Sequence, residues 1–353
     1  NLDPLGKLLS QRIGNIIIKI EYGSLSQEVG RKAYAFLSNN QEYLISSGIL
    51  KGYDDKGNTI VEITEVLRDK DGKEISARLR TETLDPLGRL LSQRIGNVLI
   101  EVDYGAFSQE TGRRALIVDE QGKKIVRIST GILDHYDANG NAIVKITEYR
   151  RNKDGWITDK SGNRLADQIN PTLDALSYER TDTLDPLGKL LSQRIGNVLI
   201  EVIYGTLGQE TGRAAFVVDA TGNKLSQISE GTLLGYDDKG NTLVEIREFI
   251  VGRLSRIETL DSLGKIISQQ IHCILTEVEF GKFGQEIGQK TGLINDKTGE
   301  KILKSEGKVL GYDNQGNIQV EITEYPIKPD GAYFIDNQGN LLIRLRVETR
   351  DNL

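Results

Sequence analysis

The sequence predicts a mainly β protein, a tandem array of four homologous antiparallel β-meander repeats. Three observations carry this. A stretch beginning Leu-Asp-Pro-Leu-Gly and running into a β-branched segment, seen in full at Leu184–Gly205, recurs at Leu2, Leu84 and, more drifted, Leu260. Turn signals rich in Asp, Asn and Gly punctuate the chain at intervals of roughly 8–12 residues, the spacing of a meandering sheet. The composition, 38% hydrophobic and 27% charged with 38 glycines in 353 residues, is that of a turn-rich globular chain. The copies place unit boundaries at 1–83, 84–183, 184–259 and 260–353, each unit long enough to own a small core.

The third copy shows the elements in order. Asp185-Pro186 reads as a helix cap followed by proline at the first helical position. Leu187, Leu190, Leu191 and Ile195 then share one face of a short helix, which Gly196-Asn197 ends. The competing reading makes Leu-Asp-Pro-Leu-Gly a hairpin turn, a role Gly188 suits. Val198–Tyr204 is a strand on its β-branched content. Gln209–Arg213 reads as a polar connection turning on Gly212, and Ala214–Asp219 as the next strand. After an Ala220–Asn223 turn come strands at Lys224–Ser229 and Gly231–Tyr236. Asp237–Asn241 turns the chain into Thr242–Phe249, and Val251-Gly252 turns it again into Arg253–Thr259. The copies differ most in this last hairpin, which implies a surface tip. It carries Arg68–Gly72 in the first copy and Pro326, Pro329 and Asp330-Gly331 in the fourth. In the second it grows to Arg150–Asp182, with Trp156 and an Asn170-Pro171 break.

Catalytic chemistry finds few residues to work with. The two histidines are His135 and His272, the latter beside the single cysteine, Cys273. Neighbours on a strand point to opposite faces, so His272 and Cys273 are not expected to act as base and nucleophile. Zinc needs three or four convergent ligands, and calcium loops of the EF-hand type need a spacing that Asp54-Asp55, Asp69–Gly72, Asp237-Asp238 and Asp336–Gly339 do not supply. Gln-Glu-x-Gly-Arg recurs with Arg31, Arg113 and Arg213 and ends in Gln289 in the fourth copy, which favours a structural staple over a ligand clamp. No phosphate-binding glycine motif is present. No cofactor or metal is therefore expected. A net charge of −6 with scattered basic residues argues against nucleic acid. No apolar run reaches the roughly 18 residues of a spanning helix.

The termini carry the functional expectation. Internal junctions read Glu-Thr-Leu-Asp-Pro/Ser-Leu-Gly, as at Glu82–Gly88 and Glu258–Gly264; the chain opens on one half of this junction and ends on a shortened form of the other. With the apolar-alternating segment Leu341–Thr349, this points to a non-catalytic structural protein that assembles with copies of itself head to tail into a fibre or surface layer. The expected assembly residues are Leu2, Asp3, Pro4 and Leu5 at one end and Leu342, Leu345, Val347 and Leu353 at the other. The alternative is a multivalent cell-surface adhesin that binds glycan or another partner through Trp156 and Tyr178, unless those aromatics pack inside their hairpin. The absence of methionine and the start at Asn1 suggest a processed or incomplete N-terminus and an extracellular or cell-surface location.

Overall fold

The computed structural model describes residues 1–350 except 25–26, 37–40, 70, 107–108, 187, 238–240, 250–254, 262–263, 296–297, 314–316 and 329–330. Leu187, the Val251-Gly252 turn with Arg253, Asp238, Pro329, Asp330 and Leu353 lie outside the described residues. The first copy supplies β1 (Ser10–Ile13), β2 (Ile16–Tyr22), β3 (Glu28–Phe36), β4 (Glu42–Tyr53), β5 (Thr59–Arg68) and β6 (Glu74–Leu84). The second supplies β7 (Leu90–Ile95), β8 (Val98–Tyr104), β9 (Glu110–Val118), β10 (Lys124–Tyr136), β11 (Ala142–Tyr149) and β12 (Ser177–Leu184). In the third follow β13 (Leu190–Ile195), β14 (Val198–Tyr204), β15 (Glu210–Val218), β16 (Lys224–Tyr236), β17 (Thr242–Glu248) and β18 (Ser255–Leu260). The fourth ends the series with β19 (Ile266–Ile271), β20 (Ile274–Phe280), β21 (Glu286–Ile294), β22 (Lys301–Tyr312), β23 (Ile318–Glu324) and β24 (Arg344–Arg350).

The protein is mainly β, and each strand pairs antiparallel with its neighbours in sequence, giving one 24-stranded sheet. The ladder crosses the copy boundaries without a break: β6 pairs with β7, β12 with β13 and β18 with β19. Among the described residues β1 and β24 each pair on one side only, so the sheet is open. No described helix is long and apolar enough to cross a membrane.

The expected helix at the start of each copy is not formed among the described residues; the hairpin alternative describes the chain. Residues Leu190–Ile195, with three of the four side chains that were to share a helical face, make β13. The preceding turn closes through Asp185 N–H to Lys189 O at 2.8 Å and Gly188 N–H to Asp185 O at 2.8 Å. The Asp185 carboxylate accepts from Lys189 N–H at 2.8 Å. Gly188 takes a φ of +80°, a conformation that suits glycine. The same closure shapes the Asp-x-x-Gly-Asn turns, where Asp54 N–H bonds Asn58 O and Gly57 N–H bonds Asp54 O. Asparagine adds a side-chain bond to the aspartate there, as Asn58 Nδ2 does at 2.8 Å to Asp54. At Asp219 such bonds from Thr221 and Asn223 hold the carboxyl down to about 2, because they favour its charged form.

Three further expectations are corrected. Lys224–Ser229 and Gly231–Tyr236 are one strand, β16, and Gln209–Arg213 is a turn only at its start, because β15 begins at Glu210. The glycine at Gly212 serves close packing instead: its strand crosses Gly231 with no room for a side chain. The second copy gives the scale, since a Cβ on Gly112 would stand 2.5 Å from the Gly131 carbonyl oxygen. His272 and Cys273 do not alternate along a strand. They form the β19–β20 turn, where His272 adopts a φ of +52° in place of the glycines at 14, 96 and 196, a conformation uncommon outside glycine. His135 bonds its neighbour Asp134 at 2.9 Å.

Burial follows the copies. Val61, Ile63 and Leu84 form one apolar cluster; Ala142, Val144, Ile146 and Leu184 form its counterpart. Val244, Ile246 and Leu260 form the third, and Val309, Ile318, Val320 and Ile322 the fourth. A larger cluster joins Val98, Ile117 and Val126 of the second copy to Ile157 and Ala175 of its long insertion. Gln168 clamps that insertion down, accepting Ile157 N–H at 2.7 Å on its side chain and Arg127 N–H at 2.8 Å on its backbone.

The sheet curls back so that the first copy touches the third and the second touches the fourth. Asn15 donates to Thr206 O at 2.8 Å, and its counterpart Asn97 donates to Lys282 O at 3.5 Å. Gly72, at the tip of the β5–β6 hairpin, lies against Leu207, where a Cβ would stand 2.7 Å from the leucine methyl. Its counterpart Gly155 lies against Phe283, the residue that corresponds to Leu207.

Candidate assembly surfaces

An ion triad recurs beside each junction. The arginine of Arg-x-Glu/Asp-Thr reaches the acid two residues on and a glutamate on the neighbouring strand. Arg80 meets Glu65 at 3.0 Å and Glu82 at 2.7 Å. Arg180 meets Glu148, and Asp182 at 3.1 Å; Arg256 meets Glu248, and Glu258 at 2.7 Å; Arg346 meets Glu324 at 3.2 Å and Glu348 at 2.8 Å. Their setting differs: the Arg180 side chain is 18% exposed and that of Arg346 54%. Burial works against the Arg180 charge, but Asp182 and Glu148 outweigh it and raise the guanidinium above its ordinary value. Burial alone would raise Glu65, yet Arg78 and Arg80 hold it below the ordinary range.

The recurrent Gln-Glu-x-Gly-Arg motif makes a local pair that in the second and third copies also faces the next copy. Arg31 meets Glu28 at 2.6 Å and Arg213 meets Glu210 at 2.6 Å; Arg113 pairs likewise with Glu110. Arg113 reaches the turn at Gly188, 3.2 Å from where a Cβ would stand. In the fourth copy Gln289 replaces the arginine, and Arg350, standing where the other copies bury leucine, brings a guanidinium to Gln289 and Glu348. The cation has moved across the sheet rather than been lost.

Trp156 and Tyr178 sit at the seam between the second and fourth copies. Trp156 is half-buried, its ring centroid 5.2 Å from that of Phe283, with the Arg164 guanidinium 3.8 Å from the Trp156 centroid. Arg151 donates to Phe283 O, and Gln285 donates to Lys153 O at 2.8 Å. Tyr178 is also half-buried, stacked by Arg150 at 4.2 Å; the same guanidinium lies 5.6 Å from the Tyr312 ring of the fourth copy. Burial, with the Glu148 charge adding to it, pushes the Tyr178 hydroxyl up to about 12.

The expected assembly residues that the structure describes lie in or beside the outer strands of the ladder. Leu2 bridges to Leu8 yet stays 63% exposed, and Leu5 is 82% exposed beside an exposed Pro4. Asp3 shapes their turn by accepting Leu5 N–H at 2.9 Å and Lys7 N–H at 2.8 Å. At the other end Leu342, Leu345 and Val347 are exposed, in a stretch that also exposes Phe334, Ile335, Leu341 and Ile343. Leu342 precedes β24, whereas Leu345 and Val347 lie in it. The triads and the contacts two copies apart were missed in the sequence. The triads had a signal, the Arg-x-Glu/Asp-Thr preceding each internal junction.

No family model and no curated protein matches the chain. Among solved structures it is similar to the crystal structure of TcdB2-TccC3-Cdc42, at 12% identity over 93% of this chain and 22% of that one, with a TM-score of 0.17. The Photorhabdus luminescens Tc holotoxin pore matches at 13% identity over 94% and 20%, with a TM-score of 0.17. A porin-like protein from Bacteroides uniformis matches at 11% identity over 85% and 100%, with a TM-score of 0.20. The chain thus spans about a fifth of the toxin-complex chains it matches, and at these TM-scores the likenesses carry no argument about its function.

Proposed function

We propose that this is a non-catalytic structural protein, an array of four sheet-forming repeats that joins copies of itself head to tail into an extracellular fibre or surface layer. One observation carries the reading: the same residues make the same contacts twice, first copy to third and second copy to fourth. Such a rule needs no new chemistry to continue, because every added copy lands on the one two places before it. The apolar side chains of Leu345 and Val347 on β24 are exposed and suited to a contact between copies of the chain. Electron microscopy and light scattering of the full chain, beside a chain ending at residue 340, test this. Filaments from the first and monomers from the second are expected. Monomers from both, at high concentration, would end the proposal.

A further inference from the structure

We infer that the fourth copy carries a peptide-binding groove. It takes from another protein a short acidic segment with small and leucine side chains, in the place that the second copy fills with a loop of its own.

Strand pairing puts the second and fourth copies in register. Ile117 pairs with Val98 and Leu293 with Ile274; Ser129 pairs with Glu148 and Ser305 with Glu324. Glu148 in turn pairs with Tyr178, and Glu324 with Arg344. Leu293, Lys304, Tyr325 and Arg344 therefore stand where the second copy has Ile117, Ile128, Tyr149 and Tyr178. In the second copy Ile117, Ile128 and Tyr149 belong to the cluster that Ile157 and Ala175 close. The loop that covers them buries Gln168, Ala175 and Leu176. Its backbone is held by Arg127 N–H to Gln168 O and Arg150 N–H to Leu176 O, both at 2.8 Å.

The fourth copy begins the same insertion and omits the cover. Leu342 N–H bonds Phe334 O at 2.9 Å, as Leu165 N–H bonds Ile157 O at 3.0 Å. The Asp336–Asn340 turn before it closes as the Asp159–Asn163 turn does. The chain then passes through Ile343 straight into β24, whereas the second copy runs through residues 166–176 before β12. Leu293, Lys304, Tyr325, Ile327 and Arg344 consequently line an open cavity of about 300 Å³. Phe334 is 41% exposed where Ile157 is fully buried. The volume is at the small end for a ligand cleft, which suits a few side chains of a peptide better than a whole cofactor.

Charge decides which peptide. Exposed Lys304 replaces Ile128 and exposed Arg344 replaces Tyr178, while the second copy's cover carries Asp167 and Asp174. Glu324, the acid in the lining, is already paired with Arg346 at 3.2 Å. The groove thus keeps Leu293 and Ile327 as an apolar lining and adds two cations, the complement of an acidic segment. Pro326 stands where Arg150 does and lacks an N–H for the peptide backbone, so the charges carry more of the hold. The chain's own cover is seated in the second copy, which leaves the groove to another protein.

A peptide with the sequence of residues 165–177, capped at both ends and tagged with a neutral fluorophore, is the probe. It is titrated with the full chain and followed by fluorescence anisotropy. Saturable binding that weakens with salt is expected. It should fall at least about tenfold in Arg344→Glu, and equally when the peptide carries Asp167→Asn and Asp174→Asn. Ser305→Trp, which fills the cavity, should block it as well. Urea unfolding shows whether that variant is folded, and Arg344→Glu, at an exposed side chain, decides the matter if it is not. No saturable binding up to about 1 mM, binding that Arg344→Glu leaves unchanged, or equal binding of a peptide of scrambled order overturns the inference.

Discussion

The second and fourth copies place the same triad in different surroundings. Glu148, Arg180 and Asp182 lie beneath the seam, where Arg150 is held between Tyr178 and Tyr312 and the hairpin is pinned to Phe283. Glu324, Arg346 and Glu348 have the same connectivity with side chains 33%, 54% and 35% exposed. The third copy falls between, with Glu248 at 35% and Arg256 at 20%. What differs is the layer that covers the ions, and the ion chemistry is unchanged. An exposed ion pair is worth about 0–1 kcal/mol, because solvent screens it and two long side chains must be held still. Under cover, the attraction strengthens and so does the penalty for leaving one charge unpaired.

This comparison breaks most visibly at the arginines. Arg180→Gln strands two carboxylates in a part-buried site and should cost about 3 kcal/mol, the lower end for losing one partner of a buried pair. Arg346→Gln should cost under about 1 kcal/mol. Urea unfolding monitored by circular dichroism measures both. Equal costs would mean that the seam does not change the setting of the triad.

The strands were largely legible because β-branched runs and Asp/Gly turns are local signals: Val198–Tyr204 was placed residue for residue as β14. Asp185-Pro186 misled, because an aspartate before proline suits a helix cap as well as a five-residue turn. The sequence held the tie-breaker, since glycine stands three residues after the aspartate both there and in the Asp-x-x-Gly-Asn turns. Gly212 was read as the turn of a polar connection, but it is a close crossing set by the facing Gly231 on the next strand, which no single segment reveals. Among the candidate residues, Trp156 was found by being unique, and its partner Phe283 was not. Nothing local says that residues this far apart in the chain meet; only the matching Asp-Gly tips hinted that the hairpins share a task.

A sharper test takes the two seams against each other. Phe283→Ala removes a half-buried ring together with its contact to Trp156, and should cost about 3 kcal/mol. Leu207→Ala, in the seam between the first and third copies, loses fewer atoms and no ring pair, so about 2 kcal/mol is expected. Trp156 reports on the difference directly. Its fluorescence should shift to the red in Phe283→Ala and stay unchanged in Leu207→Ala. A shift in both would mean that the two seams open as one unit.

The smallest effect is expected where the fourth copy departs from the other three in backbone rather than in cover. The β1–β2, β7–β8 and β13–β14 turns place glycine at φ values of +58°, +59° and +57°, and the β19–β20 turn places His272 at +52°. A side chain in this left-handed region costs about 1–2 kcal/mol, and glycine gives part of that back as greater freedom in the unfolded chain. His272→Gly should therefore stabilise the protein by about 1 kcal/mol, while leaving the register Ile271↔Ile274 as it is. Urea unfolding of the variant beside the parent chain measures this. A destabilised variant would show that the imidazole contributes more than the strained backbone costs. The side chain at this turn would then hold the fourth copy together, as the Arg350 guanidinium that bonds Gln289 does across its strands.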